Sequence, residues 1–206
     1  MKSSLLFVLT VAAACSSDRS LEPDASVPPG PDRPNGDMMI DASTPPHLRR
    51  VFVTRTAYDG DFAGLAGADA ACAQAATAGG LAGTFVAYLS VEGIPAIDRL
   101  VGAGPWYRTG DDAKVFDDVL HVGSGLLHVP IDRDERGNRL GVGDAASVWT
   151  GTILTNVAKT CTNWRSNVLD VGVTGTIGSA IHTGDGWSSD GELSCATGAR
   201  LYCFEQ

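Results

Sequence analysis

The chain has 206 residues, 44% of them apolar, with 25 glycines and a formal net charge of −9. That length is one domain, or one domain with a tail. The acidic balance argues against a duplex nucleic-acid partner, which requires a basic face for its phosphates, and the acidic residues are spread along the chain as on a solvated surface.

The first segment, "MKSSLLFVLTVAAAC", has a basic start at Lys2, an apolar run from Leu5 to Ala14 and small residues before Cys15. That is the layout of a secretory signal over residues 1–14, and the run is too short to span a bilayer as a stable helix. "AAAC" resembles a bacterial lipoprotein cleavage box, which implies that Cys15 becomes the lipidated first residue. Ala12 stands where that box usually has Leu, and ordinary cleavage after Ala14 is the alternative. By the same resemblance, Ser16 rather than Asp after the cysteine implies lipid anchoring in the outer membrane, with secretion or a periplasmic location as the alternative. Export into an oxidising compartment makes Cys72, Cys161, Cys195 and Cys203 disulfide candidates, with three possible connectivities. Seven of the ten prolines fall in residues 16–48, interleaved with Ser, Asp and Gly. Such text buries too little apolar area to offset its ordering entropy, so residues 15–48 read as a tether and 49–206 as one domain.

In that domain "RRVFVTRT" reads as a strand and "LAGADAACAQAATAGG" as an alanine-rich helix stopped by Gly79-Gly80. "TFVAYLS" reads as a buried strand, with a second helix expected near 111–120. "GLLHVPIDRDERGNRL" predicts strand, turn and strand, with the turn at Arg136-Gly137-Asn138, and "SVWTGT" another short strand. Thr155 to Asp190 has long-loop composition, and "ARLYCFE" closes the chain as a strand. The sum is an α+β fold of short, mostly antiparallel strands with one or two helices and a long loop region.

Motifs for catalysis are not expected to operate. None of His47, His121, His128 and His182 falls in a His-Glu-x-x-His spacing, and His47 lies in the tether. There is no Gly-x-Ser-x-Gly elbow and no phosphate loop. "DRDERGN" (Asp132–Asn138) echoes half a calcium loop, but Arg133 and Arg136 intrude and no closing Glu follows, so it reads as a charged hairpin turn. The pairs Asp111-Asp112 and Asp117-Asp118 read as a solvated face. Surface aromatics are the remaining binding signal. Trp149 and Trp164 read as core, whereas Trp106-Tyr107 in loop text is the better candidate for exposure.

A helix cysteine, a mid-chain cysteine and C-x7-C before a terminal acidic residue resemble the C-type lectin-like fold. "VFVTRTAYDGDFAGLAGADAACAQAA", "VWTGT", "CTNW" and "RLYCFE" are similar to the bacterial domain of unknown function found in leptospiral and myxobacterial lipoproteins. More distantly, "VWTGT…CTNWRS…GVTG…SCATGARLYCFE" is similar in landmark order to endostatin. The resemblance covers residues 50–206. It implies two nested disulfides, Cys72 with Cys203 and Cys161 with Cys195, and an unidentified carbohydrate or protein ligand bound without catalysis. The calcium ligands of sugar-binding relatives are not matched. No Glu-Pro-Asn occurs, and Trp187 in "WSSDGELSC" is followed by Ser188-Ser189, leaving Asp190 and Glu192 as the nearby carboxylates. No cofactor or metal is therefore expected, with a calcium-dependent carbohydrate binder as the alternative and a secreted hydrolase as the second. Trp106, Tyr107, Trp187, Asp190 and Glu192 are the candidate ligand-binding residues. Endostatin's zinc histidines have no counterpart here. Its heparin affinity is not expected either, because residues 49–206 hold 12 basic against 18 acidic side chains.

Substituting Cys15→Ser is expected to abolish incorporation of labelled fatty acid and to release the protein from the membrane fraction. Unchanged labelling would refute lipidation at this residue.

Overall fold

A computed structural model describes residues 47–141, 146–170 and 172–206. The signal segment, Cys15 and nearly all of the expected tether lie outside the described residues.

The fold is built around its last strand. β1 (Arg49–Val53), β2 (Phe85–Ala87), β3 (Trp106–Arg108), β4 (Lys114–Phe116), β5 (Ser147–Trp149), β8 (Thr174–Ser179), β9 (Gly191–Ser194) and β10 (Arg200–Glu205) form one sheet. Its order is β4-β3-β1-β10-β5-β8-β9, with β2 also paired to β10. β6 (Thr152–Ile153) and β7 (Asn156–Val157) form a separate hairpin. Pairing is mostly antiparallel, as expected, but β1–β3 and β5–β10 are parallel. β1 and β10 pair antiparallel with Phe52 opposite Cys203, so the two ends of the domain lie side by side.

The side-chain alternation of β10 divides the interior in two. Leu201 and Cys203 face a core with Phe52, Ala68, Trp149 and Trp164, while Tyr202 and Phe204 face another with Val53, Trp106, Phe116 and Trp187. A strand covered on both faces reads as a continuous apolar run, as "LYCF" does.

Helix α1 (Leu65–Ala78) covers the first core through Ala68, Ala71, Cys72 and Ala76. Small side chains on that face let its backbone approach the sheet, and the helix stops at Gly79 with Gly80 at φ 71°. Two nested disulfides, Cys72–Cys203 and Cys161–Cys195, close the domain. Their sequence separations of 131 and 34 residues correspond to about 5 and about 4 kcal/mol of loop-closure stabilisation in the chain-entropy account.

Several expectations are corrected. The second helix, α2 (Val119–Gly123), starts later than expected, because 111–116 is taken by a turn and β4. The long-loop text contains β8, a six-residue sheet strand. Its glycines disguised it, yet they are needed for close approach. A Cβ on Gly175 would lie 2.7 Å from the Trp149 ring and 2.8 Å from Cys161 Sγ.

The expected hairpin turn forms, with the Gly137 N–H donating to the Asp134 carbonyl at 2.9 Å, but its acids lie inside. Asp132, Asp134 and Glu135 are buried, and no strands flank them. Arg108, itself largely buried, donates to Asp132 at 2.5 Å and to the Pro130 carbonyl at 2.9 Å. Arg139 holds the other Asp132 oxygen at 2.6 Å. Asp134 accepts the Arg136 and Asn138 backbone N–H groups, filling the turn from inside. Asp111 is not a free surface acid either, since Arg108 and Arg133 both bond it. Hydrogen bonding from Arg108 is the main cause that lowers its carboxyl to about 2. Because that value is below the unfolded one, the stability linked to Asp111 is present above about pH 4 and fades as pH falls towards 2.

Arg108→Met should leave the buried Asp132 carboxylate half-paired and cost about 3–5 kcal/mol, read as a lower urea midpoint. A loss under about 1 kcal/mol would show that water replaces the guanidinium.

Candidate ligand-binding site

The structure separates the five residues expected to bind a ligand. Trp106 is fully buried, a correction to its expected exposure. On β3 the alternation sends Trp106 and Arg108 inward and Tyr107 outward. The Trp106 indole donates to the Glu205 carbonyl at 2.8 Å and meets Phe204 edge-on. Tyr107 lines an open cleft of about 670 Å³ with Arg49, Pro105 and Gln206. His47, counted with the tether from sequence, reaches the buried Glu205 carboxylate at the same edge.

Trp187 is core, packed on Tyr88, Phe116 and Tyr202. Its Nε1 is the one buried side-chain polar atom among the described residues without a hydrogen-bond partner. Asp190 and Glu192 are exposed at the far edge, where Glu192 accepts the Thr174 hydroxyl at 2.7 Å and Asp190 lies 3.7 Å from His182. Among the described residues, neither carboxylate belongs to a group of three side chains at metal-ligand spacing. One such group does exist, formed by Asp117, His121 and His128 around α2.

The most unusual backbone lies elsewhere. Cys161, Thr162, Asn163 and Trp164 all have positive φ, at 49°, 57°, 57° and 60°. This is one turn of left-handed helix, closed by Trp164 N–H to the Thr160 carbonyl at 2.7 Å and Arg165 N–H to the Cys161 carbonyl at 3.1 Å. L-residues in that conformation cost about 1–2 kcal/mol each, and Asn alone among these four tolerates it readily. Such a turn persists only where its surroundings over-determine it.

Here they do. Cys161 is bonded to Cys195. Trp164 is fully buried, and its indole donates to the Ser90 carbonyl at 2.7 Å. The Trp164 carbonyl accepts the N–H groups of Phe62 and Gly64. A Cβ on Gly60 would come within 2.6 Å of Cys161 Sγ, so the neighbouring chain must carry glycine there.

With Cys161 and Trp164 held inside, Thr162 is exposed and Asn163 half-exposed. Asn163 Oδ1 accepts the Glu92 N–H at 2.8 Å. The Asn163 Nδ2 group and the Glu92 carboxylate have no hydrogen-bond partner among the described residues. Two clefts meet at these residues. One, of about 340 Å³, is bordered by the start of α1 and Arg165, and the other, of about 380 Å³, by Thr160, Thr162 and β7. The β6–β7 hairpin beside them ends in exposed Ile153 and Leu154, the latter at φ 56°. A carboxylate, an amide, a hydroxyl and a guanidinium thus share one surface with mixed donors and acceptors.

In the sequence, "CTNW" is legible only as a fold landmark. Asn163 was the one local hint, because asparagine is enriched at positive φ. Glu92, 71 positions away, carried no signal. No protein-family model matches the chain. No curated protein matches it either.

Thr162→Gly should relieve a β-branched residue of left-handed strain and raise stability by about 1 kcal/mol, measured as a higher urea midpoint at constant slope. Lower stability would mean that the exposed hydroxyl helps hold the turn.

Proposed function

We propose that this chain is an exported, lipid-anchored binding module of the cell surface, C-type lectin-like and non-catalytic, which takes a carbohydrate at the Glu92–Asn163 surface. The left-handed turn at Cys161–Trp164 carries the reading. A disulfide, a buried indole and a close glycine hold four strained residues, and the outcome is a fixed amide and hydroxyl between two clefts. Pre-set polar groups suit a ligand rich in hydroxyls, because a rigid site loses little entropy on binding.

The nested disulfides and the adjacent first and last strands support the lectin-like fold assignment. The lipoprotein-like "AAAC" supports the anchor. Calcium-dependent binding has less support. Arginines occupy both oxygens of Asp132, and Glu192 is engaged by Thr174.

The test is a glycan and matrix-protein array probed with the purified chain, with and without EDTA. A glycan signal is expected to survive EDTA and to weaken about tenfold or more in Glu92→Ala and Asn163→Ala. A chain that binds no glycan, or whose binding ignores both substitutions, would overturn the proposal. Loss with EDTA alone would favour the calcium reading.

A further inference from the structure

The cluster at Asp117, His121 and His128 lies outside the Glu92–Asn163 surface, and its chemistry is of another kind. Asp117 follows β4, His121 is on α2, and His128 follows α2, with its N–H bonded to the Val115 carbonyl at 3.1 Å. The chain therefore turns back on itself within twelve residues and brings all three side chains to one point. Asp117 Oδ2 is 2.8 Å from His128 Nε2 and 3.2 Å from His121 Nδ1. The three potential ligand atoms all lie within 4.8 Å of one another. Tetrahedral zinc with bonds near 2.0–2.1 Å separates its ligand atoms by about 3.3 Å, so the cluster needs only small adjustments to surround an ion.

Each side chain is prepared for the role. The Asp117 N–H donates to His121 Nδ1 at 3.1 Å. That bond leaves Nδ1 unprotonated, which is the tautomer a metal requires. Capturing an ion there exchanges one exposed hydrogen bond, about 1 kcal/mol, for a coordinate bond. The imidazoles are oriented by rings, with His121 edge-on to buried Phe116 and His128 edge-on to His121. Asp118 accepts the His121 N–H at 2.8 Å and so fixes the start of α2. Lys114 holds the other oxygen of Asp117 at 3.1 Å, leaving Oδ2 to act alone.

We propose that Asp117, His121 and His128 form a binding site for a divalent transition-metal cation of the zinc or copper type. Two imidazoles and one carboxylate suit such ions and disfavour calcium, which takes six to eight oxygens. Three protein ligands leave a position open to water or to a donor from outside the chain. Asp117 and His128 are exposed and His121 partly so, which gives an ion direct access. The site also ties β4 to the segment beyond α2, so metal should stabilise this corner of the fold.

The test uses the full chain produced without a histidine tag, stripped with EDTA and dialysed. Zinc chloride is titrated by calorimetry and cobalt chloride by visible absorption. One equivalent is expected to bind, with the cobalt bands of a nitrogen- and oxygen-ligated site and a rise in melting temperature. His121→Ala, His128→Gln and Asp117→Asn should each weaken binding about tenfold or more, while metal-free melting stays within about 2 °C of the parent. Should His121→Ala unfold the chain, His128→Gln and Asp117→Asn decide, since both positions are exposed. Absence of uptake at about 1 mM metal, or uptake unaltered by these two substitutions, would overturn the proposal. The latter result would place the ion elsewhere, for instance at His182 and Asp190.

Discussion

Burial of β10 on both faces is the constraint on which the rest depends. Its flanks pair with β1 on one side and with β5 and β2 on the other, so each edge of the strand is used. Its side chains supply both cores, and Cys203 anchors α1 through Cys72. A single strand of six residues thus connects the first strand, the main helix and the second half of the domain. Its last residue serves the same end, for the buried Glu205 carboxylate accepts the Arg50 N–H at 2.8 Å and its carbonyl accepts the Trp106 indole.

Charge is handled locally. Although the chain is acidic overall, the segment around 108–139 encloses carboxylates with guanidinium groups. Arg108 bridges Asp111 and Asp132, and Asp134 closes a turn by accepting backbone N–H groups. Such networks hold irregular chain where no strand ladder can, because each buried charge has a fixed partner. Acidic groups engaged in this way serve the architecture, whereas Glu92 is exposed and lies beside a cleft.

The Glu92–Asn163 surface and the Asp117–His121–His128 cluster arise by different routes. The first follows from strain held by strong neighbours, since the Cys161–Cys195 bond and buried Trp164 stabilise a turn that four L-residues would not adopt alone. The second follows from a tight reversal that needs no strain, only a short helix between β4 and His128. A Cβ on Gly123 of α2 would meet Ile97 at 3.0 Å and Thr155 of the β6–β7 hairpin at 3.5 Å. The helix carrying His121 therefore packs beside the hairpin that flanks the clefts.

Local chemistry was enough to read α1 with its glycine stop, the opening and closing strands, and the cores around Trp149 and Trp164. Periodicity, small residues and apolar runs act over a few positions. The four cysteines were readable as disulfide partners, while their nested pairing came from family resemblance and is present in the structure. Burial was harder to read. Trp106 sits in glycine-rich text but is placed inside by the pleat of β3 against β1, and Asp132 looks solvated until Arg108 arrives from 24 positions away. β8 was hidden by glycines whose purpose appears only once Trp149 and Cys161 lie against them. Both proposed sites belong to this second class. Asn163 meets Glu92, and His128 meets Asp117, only after the chain has folded back, because ligand geometry depends on distances in space that spacing along a sequence does not encode.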